Sequence, residues 1–241
     1  PSRFQANTRE YIKKNEYENK AVRQMFEYVQ EREMGSKLEP RTLIYVITSG
    51  ELLREDSGKL TERGQNQILE LASSRLVAGV RKIYASSKNS EHQTAKILSK
   101  EFDVRLDKKG CFDGFNLGVS WTDDEQLKEV LPALWNDHDY NFGKGESIEN
   151  AKERFGTCMN DVGRKHPDDS IAVVCDPILS CLFHSLVTAA PLSISEWLST
   201  GFASCATYEY AKTGWTLVMP PENSFLSDPS CVSEWLPEDL L

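Results

Sequence analysis

The run Leu43-Ile44-Tyr45-Val46-Ile47, leading into Thr48-Ser49-Gly50-Glu51, limits what this chain can become more than any other stretch. An unbroken apolar run rich in β-branched and aromatic residues suits a parallel strand covered on both faces. Gly50 follows at once and permits a turn that a side chain would obstruct. In α/β folds, ligands bind beyond the carboxyl ends of such strands. Thr48, Ser49 and Gly50 therefore stand where chemistry is expected.

The rest of the chain supplies matching elements. Leu60-Thr61-Glu62-Arg63-Gly64-Gln65 opens a helix with Thr61 as N-cap, and Ile68, Leu69, Ala72 and Leu76 line its apolar side. Val80 to Ala85 reads as a second strand, followed by Ser86-Ser87-Lys88-Asn89-Ser90-Glu91-His92-Gln93-Thr94-Ala95 entering a helix. Phe112 to Trp121 reads as a loop, and Trp121 to Trp135 as an acidic, partly helical insertion with a solvated face. Ser147 caps a long helix whose stripe is Ile148, Ala151, Phe155, Met159 and Val162. Ser170 to Cys175 is another buried strand. Asp176-Pro177 then opens the apolar helix Ile178 to Ala189, since Pro suits a first helical turn. Ala203 to Tyr210 and Trp215 to Val218 alternate about Gly214, as in an antiparallel edge hairpin.

These segments resemble, in order, those of the histidine phosphatase superfamily, the phosphoglycerate-mutase-like enzymes. In that family the first strand ends in Arg-His-Gly-Glu; here the frame reads Thr48-Ser49-Gly50-Glu51. The match at Tyr84, Ser86, Gln93, Thr94 and Ala95 is the most specific, and Leu60 to Gln65 and Gly145-Glu146-Ser147 resemble its helix starts. The resemblance covers about residues 42 to 218. It implies a three-layer α/β sandwich, with a mostly parallel central sheet and helices on both faces. It also implies a pocket in which the first His takes the phosphoryl group, two Arg bind phosphate, a Glu supplies a proton and a second His binds phosphoryl oxygens. Carried over residue by residue, those positions are Thr48 (Arg), Ser49 (His), Ser90 (Arg), Gly114 (the acid) and Asp176 (His).

Each replacement has a physical cost. Arg offers a phosphoryl group charge-assisted donors in a rigid fork, and hydroxyls do not. Imidazole is largely unprotonated near neutrality, whereas a Ser hydroxyl needs an adjacent base. Asp176 sets a carboxylate where a phosphate would sit. Two unit charges 4 Å apart repel by about 4 kcal/mol at an effective dielectric of ~20. The expectation is a catalytically inactive pseudophosphatase serving as a protein-interaction scaffold or regulatory module. The alternative is a hydrolase with a rewired pocket, using Ser49 or Cys175 with Asp176 and His92.

Composition bears on partners. The chain of 241 residues has 37 acidic against 28 basic side chains, a formal net charge of −9. An acidic surface disfavours nucleic acid and anionic membranes, and no apolar run approaches the roughly 20 residues that span a bilayer. No pair among the six cysteines has C-x-x-C spacing. Neither a metal nor a cofactor is therefore expected, and a reduced intracellular protein, cytoplasmic or nuclear, is the simplest reading. Three parts are expected: a helical arm over 1–38, the main domain over 39–220 and a Pro-containing tail over 221–241. Val22, Met25, Phe26 and Val29 form one apolar face of the arm, and Trp235 stands out in the tail. These are the candidate contacts for a protein partner, with a second copy of this chain among the choices.

Overall fold

A computed structural model describes residues 39–56 and 58–237. The arm with Met25, Phe26 and Val29 lies outside the described residues. Strand β1 (Thr42–Thr48) is buried at every position. It sits inside a six-stranded sheet ordered β3-β2-β4-β1-β5-β6, with β2 Val80–Ala85, β3 Arg105–Lys108, β4 Ser170–Cys175, β5 Cys205–Ala211 and β6 Gly214–Glu222. Strands β1 to β4 run parallel, and β5 pairs antiparallel with β1 and with β6.

The alternation of side chains along β1 builds two cores. Leu43, Tyr45 and Ile47 face Ile68 and Leu71 of helix α1 (Glu62–Ser73), and Ala95 and Leu98 of α2 (Asn89–Phe102). Ile44 and Val46 belong to the opposite core. It gathers α3 (Asp124–Asn136), α4 (Ile148–Lys165) and α5 (Pro177–Thr188). Two short helices, α6 (Ile194–Leu198) and α7 (Val232–Trp235), complete that side. The result is the three-layer sandwich.

Local chemistry sets the helix starts. Thr61 accepts from Gly64 N, Ser147 from Asn150 N and Asp176 from Leu179 N; such caps contribute about 1 kcal/mol each. Gly50 and Gly64 let the β1 exit lie directly on α1: a Cβ on Gly64 would stand 2.1 Å from Glu51 O. Gln93 and Thr94 then tie α2 to the same exit. Thr94 Oγ1 accepts from Gly50 N, and Gln93 Nε2 donates to Gly58 O.

One expectation is corrected, that of the cysteines, and two segments carry more than their sequence reading. The acidic insertion is more than a solvated face, because Leu127, Val130, Leu131 and Leu134 of α3 are core residues. Cys111 and Cys158 are joined by a disulfide across 47 residues of sequence, so the expectation of six free thiols fails for this pair. A separation that long carries no spacing signal. The segment after 220 is draped on the domain. Strand β6 runs to Glu222, and Phe225, Leu226, Val232 and Leu236 are buried in the two cores. This segment seals the domain's flank. No helix among the described residues is long and apolar enough to cross a membrane.

Candidate functional site

A cavity of about 380 Å³ opens at the carboxyl ends of β1, β2 and β4. Its floor comes from the strand exits. Ser49, Ser90, Glu91, Asp113, Gly114 and Asp176 all line it. Its wall comes from later segments and is aromatic, with Phe115, Trp121, Trp197, Phe202 and Trp235. Among the described residues, the one basic residue in the lining is Lys88. It is 71% exposed and reaches Asp113 at 4.0 Å.

Four of the expected pocket positions, Ser49, Ser90, Gly114 and Asp176, share this cavity. Thr48 does not line it. Its Oγ1 donates to Gly201 O at 2.8 Å and accepts from Ser204 N at 2.8 Å. The Thr48 hydroxyl thus clamps the β1 end to the approach to β5. One residue later, Ser49 is fully buried and its Oγ has no hydrogen-bond partner. Asp176 is a structural cap as well as a floor residue. Oδ1 accepts from Leu179 N at 2.7 Å, and Oδ2 accepts a short bond from Phe115 N. Burial raises its carboxyl above the ordinary range, against the pull of those two N–H groups.

Sequence reasoning missed Glu91. It lies beside Ser90 in the first turn of α2, is 4% exposed, and leaves Oε2 without a partner. It fills the room that Gly114 leaves free. A Cβ on Gly114 would stand 2.9 Å from Glu91 Oε1 and 3.0 Å from Asp176 Oδ2. Two carboxylates thus face each other across a glycine. Burial, and then the Asp176 charge, push the Glu91 carboxyl up to about 8. A glycine where the family places an acid was the available signal, because lost side-chain volume in a core is refilled by a neighbour.

The loop bearing Gly114 is held from behind. Arg154 donates to Cys111 O and Asp113 O at 2.9 Å each, and pairs with Glu146 through Nε and Nη2. Ser86 Oγ donates to Asp113 Oδ1 at 2.7 Å. Trp235 closes the wall. Its Nε1 donates to Leu52 O at 2.9 Å, and its ring meets Trp121 edge-on at 5.3 Å. The candidate partner residue of the tail is therefore half-buried in this wall.

His92 and Cys175 are not in the lining. Cys175 is fully buried, and burial raises its thiol well above the ordinary value. Burial lowers the His92 imidazole, and its Nδ1 has no partner. Among the described residues, no group of three or more His, Cys, Asp or Glu side chains is placed to hold a metal ion.

Strand order and a cavity at the strand ends define an α/β protein of the phosphoglycerate-mutase-like class. Residues 50–222 match the model of the histidine phosphatase superfamily (branch 1), and the chain belongs to that superfamily. Solved structures share the fold at low identity. Bacillus stearothermophilus YhfR superposes with a TM-score of 0.66 at 16% identity, covering 77% of this chain and 100% of that one. Phosphoglycerate mutase from Bacillus anthracis gives 0.64 at 13% identity, over 78% and 96%. A mycobacterial glucosyl-3-phosphoglycerate phosphatase in complex with VO3 gives 0.58 at 17% identity, over 74% and 97%. No curated protein sequence matches the chain significantly.

Proposed function

We propose that this chain is a catalytically inactive member of the histidine phosphatase superfamily, a pseudophosphatase that works as a protein-interaction scaffold or regulatory module. The observation that carries the reading is the composition of the cavity floor. Where phosphoryl transfer needs convergent cationic donors, the floor offers the hydroxyls of Ser49 and Ser90 and the carboxyls of Glu91, Asp113 and Asp176. A dianionic phosphate entering this floor meets acidic side chains and no convergent cation among the described residues.

The rewired-hydrolase reading has one feature in its favour. Glu91, with its carboxyl raised to about 8, holds a proton near neutral pH and could donate it. Its nucleophile is the weak point. Ser49 Oγ has no hydrogen-bond partner, and Cys175 is a buried, protonated thiol outside the cavity. A nucleophile of either kind needs activation within hydrogen-bond reach.

The test is hydrolysis of para-nitrophenyl phosphate by the purified chain, with thermal shift in millimolar vanadate beside it. The expected result is turnover at the level of a no-enzyme control and no stabilisation by vanadate. Turnover that survives repurification and disappears in Ser49→Ala would establish the hydrolase instead. The scaffold half of the proposal rests on the arm. Phe26→Glu with Val29→Glu is expected to abolish association with a partner or a second copy while leaving the melting temperature unchanged. Unchanged association would place the interface elsewhere.

A further inference from the structure

The cavity is better equipped for a cation than for an anion. Two of its buried polar atoms, Ser49 Oγ and Glu91 Oε2, have no hydrogen-bond partner. Their residues are 0% and 4% exposed and both line the cavity. Buried polar atoms are ordinarily satisfied, and an unsatisfied one on a residue that lines a cavity calls for an explanation, of which a ligand is one. Both can accept a hydrogen bond, and one belongs to a carboxyl group.

Among the described residues the protein does not supply the missing donor. Glu91 has no ion pair there. Arg154 spends its guanidinium on Glu146 and on two backbone carbonyls. Lys88 stays at the solvent edge beside Asp113. A ligand that seats positive charge on the floor would meet Glu91 and Asp176 across Gly114.

The wall narrows the ligand further. Trp121 and Trp235 meet edge to face, their ring centroids 5.3 Å apart with planes at 64°, and both rings line the cavity. Phe115, Trp197 and Phe202 continue the apolar surface. Aromatic rings and carboxyl groups lining one cavity favour organic ammonium groups, through cation–π attraction and apolar contact with the body of the ligand. A bare metal ion would leave this wall unused, and no metal-ligand cluster exists among the described residues. About 380 Å³ lies within the range of small-molecule sites.

We propose that the cavity binds a small organic ammonium ion, its charged head against Glu91, Asp176 and Ser49 and its apolar body against Trp121 and Trp235. This rests on the reading that the cavity no longer serves phosphoryl groups. Binding is coupled to a proton. With its carboxyl raised to about 8, Glu91 is protonated near neutrality, and a bound ammonium displaces that proton to solvent. The charged groups around it are Asp176, Asp113 and Lys88, with the Arg154–Glu146 pair behind the loop. Affinity therefore rises as pH is raised towards the Glu91 value.

Titration calorimetry with phenethylammonium tests the proposal, with phenylacetate as the shape-matched anion and magnesium chloride as an inorganic cation. The expected result is saturable phenethylammonium binding, at least about tenfold tighter than phenylacetate, that tightens between about pH 6 and about pH 8. Glu91→Gln should weaken it about tenfold or more without lowering the melting temperature. Trp121→Leu, which keeps the floor intact, should weaken it severalfold. Phenylacetate binding as tightly, magnesium alone binding, or full affinity in both variants would overturn the proposal. Vanadate separates the two levels of reading. No binding of either vanadate or phenethylammonium overturns this inference and leaves the inactive reading standing. Vanadate binding overturns both.

Discussion

The floor and the wall of one cavity follow opposite rules. The floor is built from strand exits close to β1, β2 and β4, and it keeps polar groups out of water without full compensation. Ser49 Oγ and Glu91 Oε2 are unpartnered, and the Glu91 and Asp176 carboxyls are both raised by burial. The wall is built from segments distant in sequence, and nearly every group in it is packed. Trp197 stacks on Trp135 at 5.6 Å and meets Trp121 at 6.3 Å, while Trp235 contacts Trp121 and Phe202. The wall stabilises the domain, and the floor draws on that stability. Asp176 caps α5 and holds the Phe115 loop, whereas Glu91 Oε2 has no partner of either kind.

If this contrast is right, wall and floor substitutions differ in sign. The largest effect belongs to Trp197, which is 1% exposed. Trp197→Ala should destabilise the domain by about 3–5 kcal/mol, measured by urea unfolding. A loss under about 1 kcal/mol would remove the wall from the stabilising side of the comparison.

Glu91 comes next. Its folded-state carboxyl is raised from 4.5 to about 8, so ionisation costs the folded state more than the unfolded chain. Its unfavourable contribution is absent below about pH 4, grows as pH rises through the window between the two values, and is complete above about pH 8. Glu91→Gln removes it. The variant should gain on the order of a few kcal/mol over wild type at about pH 8, and almost nothing at about pH 4. Asp176, shifted the same way, remains in the variant and keeps a smaller slope. Parallel stability–pH curves for the two proteins would show that Glu91 ionises normally.

The finest comparison sets neighbouring hydroxyls against each other. Thr48 Oγ1 is bonded to Gly201 O and Ser204 N, whereas Ser49 Oγ is bonded to nothing. Thr48→Val leaves two buried backbone groups unpaired and should cost about 1–3 kcal/mol. Ser49→Ala removes an orphan hydroxyl and should be neutral or stabilising by up to about 1 kcal/mol. Losses of equal size at both positions would mean that Ser49 Oγ is satisfied in solution.

Much of the fold was legible in the chain, because its signals are local. An apolar run of the β1 kind, short and rich in β-branched residues, reads as a strand with cover on both sides, and Thr61, Ser147 and Asp176 sit next to the N–H groups they cap. Gly50 was also readable as a place where a side chain would obstruct, whereas the close approach at Gly64 was not. The cavity floor was legible in part: Ser49, Ser90 and Asp176 each follow a strand or open a helix beside one, and Gly114 was placed by the resemblance.

What remained depends on which distant segments meet. Glu91 reads as an ordinary first-turn acid of a helix until Gly114, brought from another loop, leaves it room to turn inward. Thr48 reads as a pocket hydroxyl until Gly201 and Ser204 arrive to claim it. Trp235 reads as an exposed anchor until Leu52 and Trp121 are placed beside it. Cys111 and Cys158 read as unrelated thiols until α4 packs on the turn that carries Cys111. Periodicity and capping are interactions between near neighbours and are written in residue order. The charge state of a buried acid, the satisfaction of a hydroxyl and the cover of a tryptophan are set by burial and by partners far along the chain, and only the tertiary structure decides those.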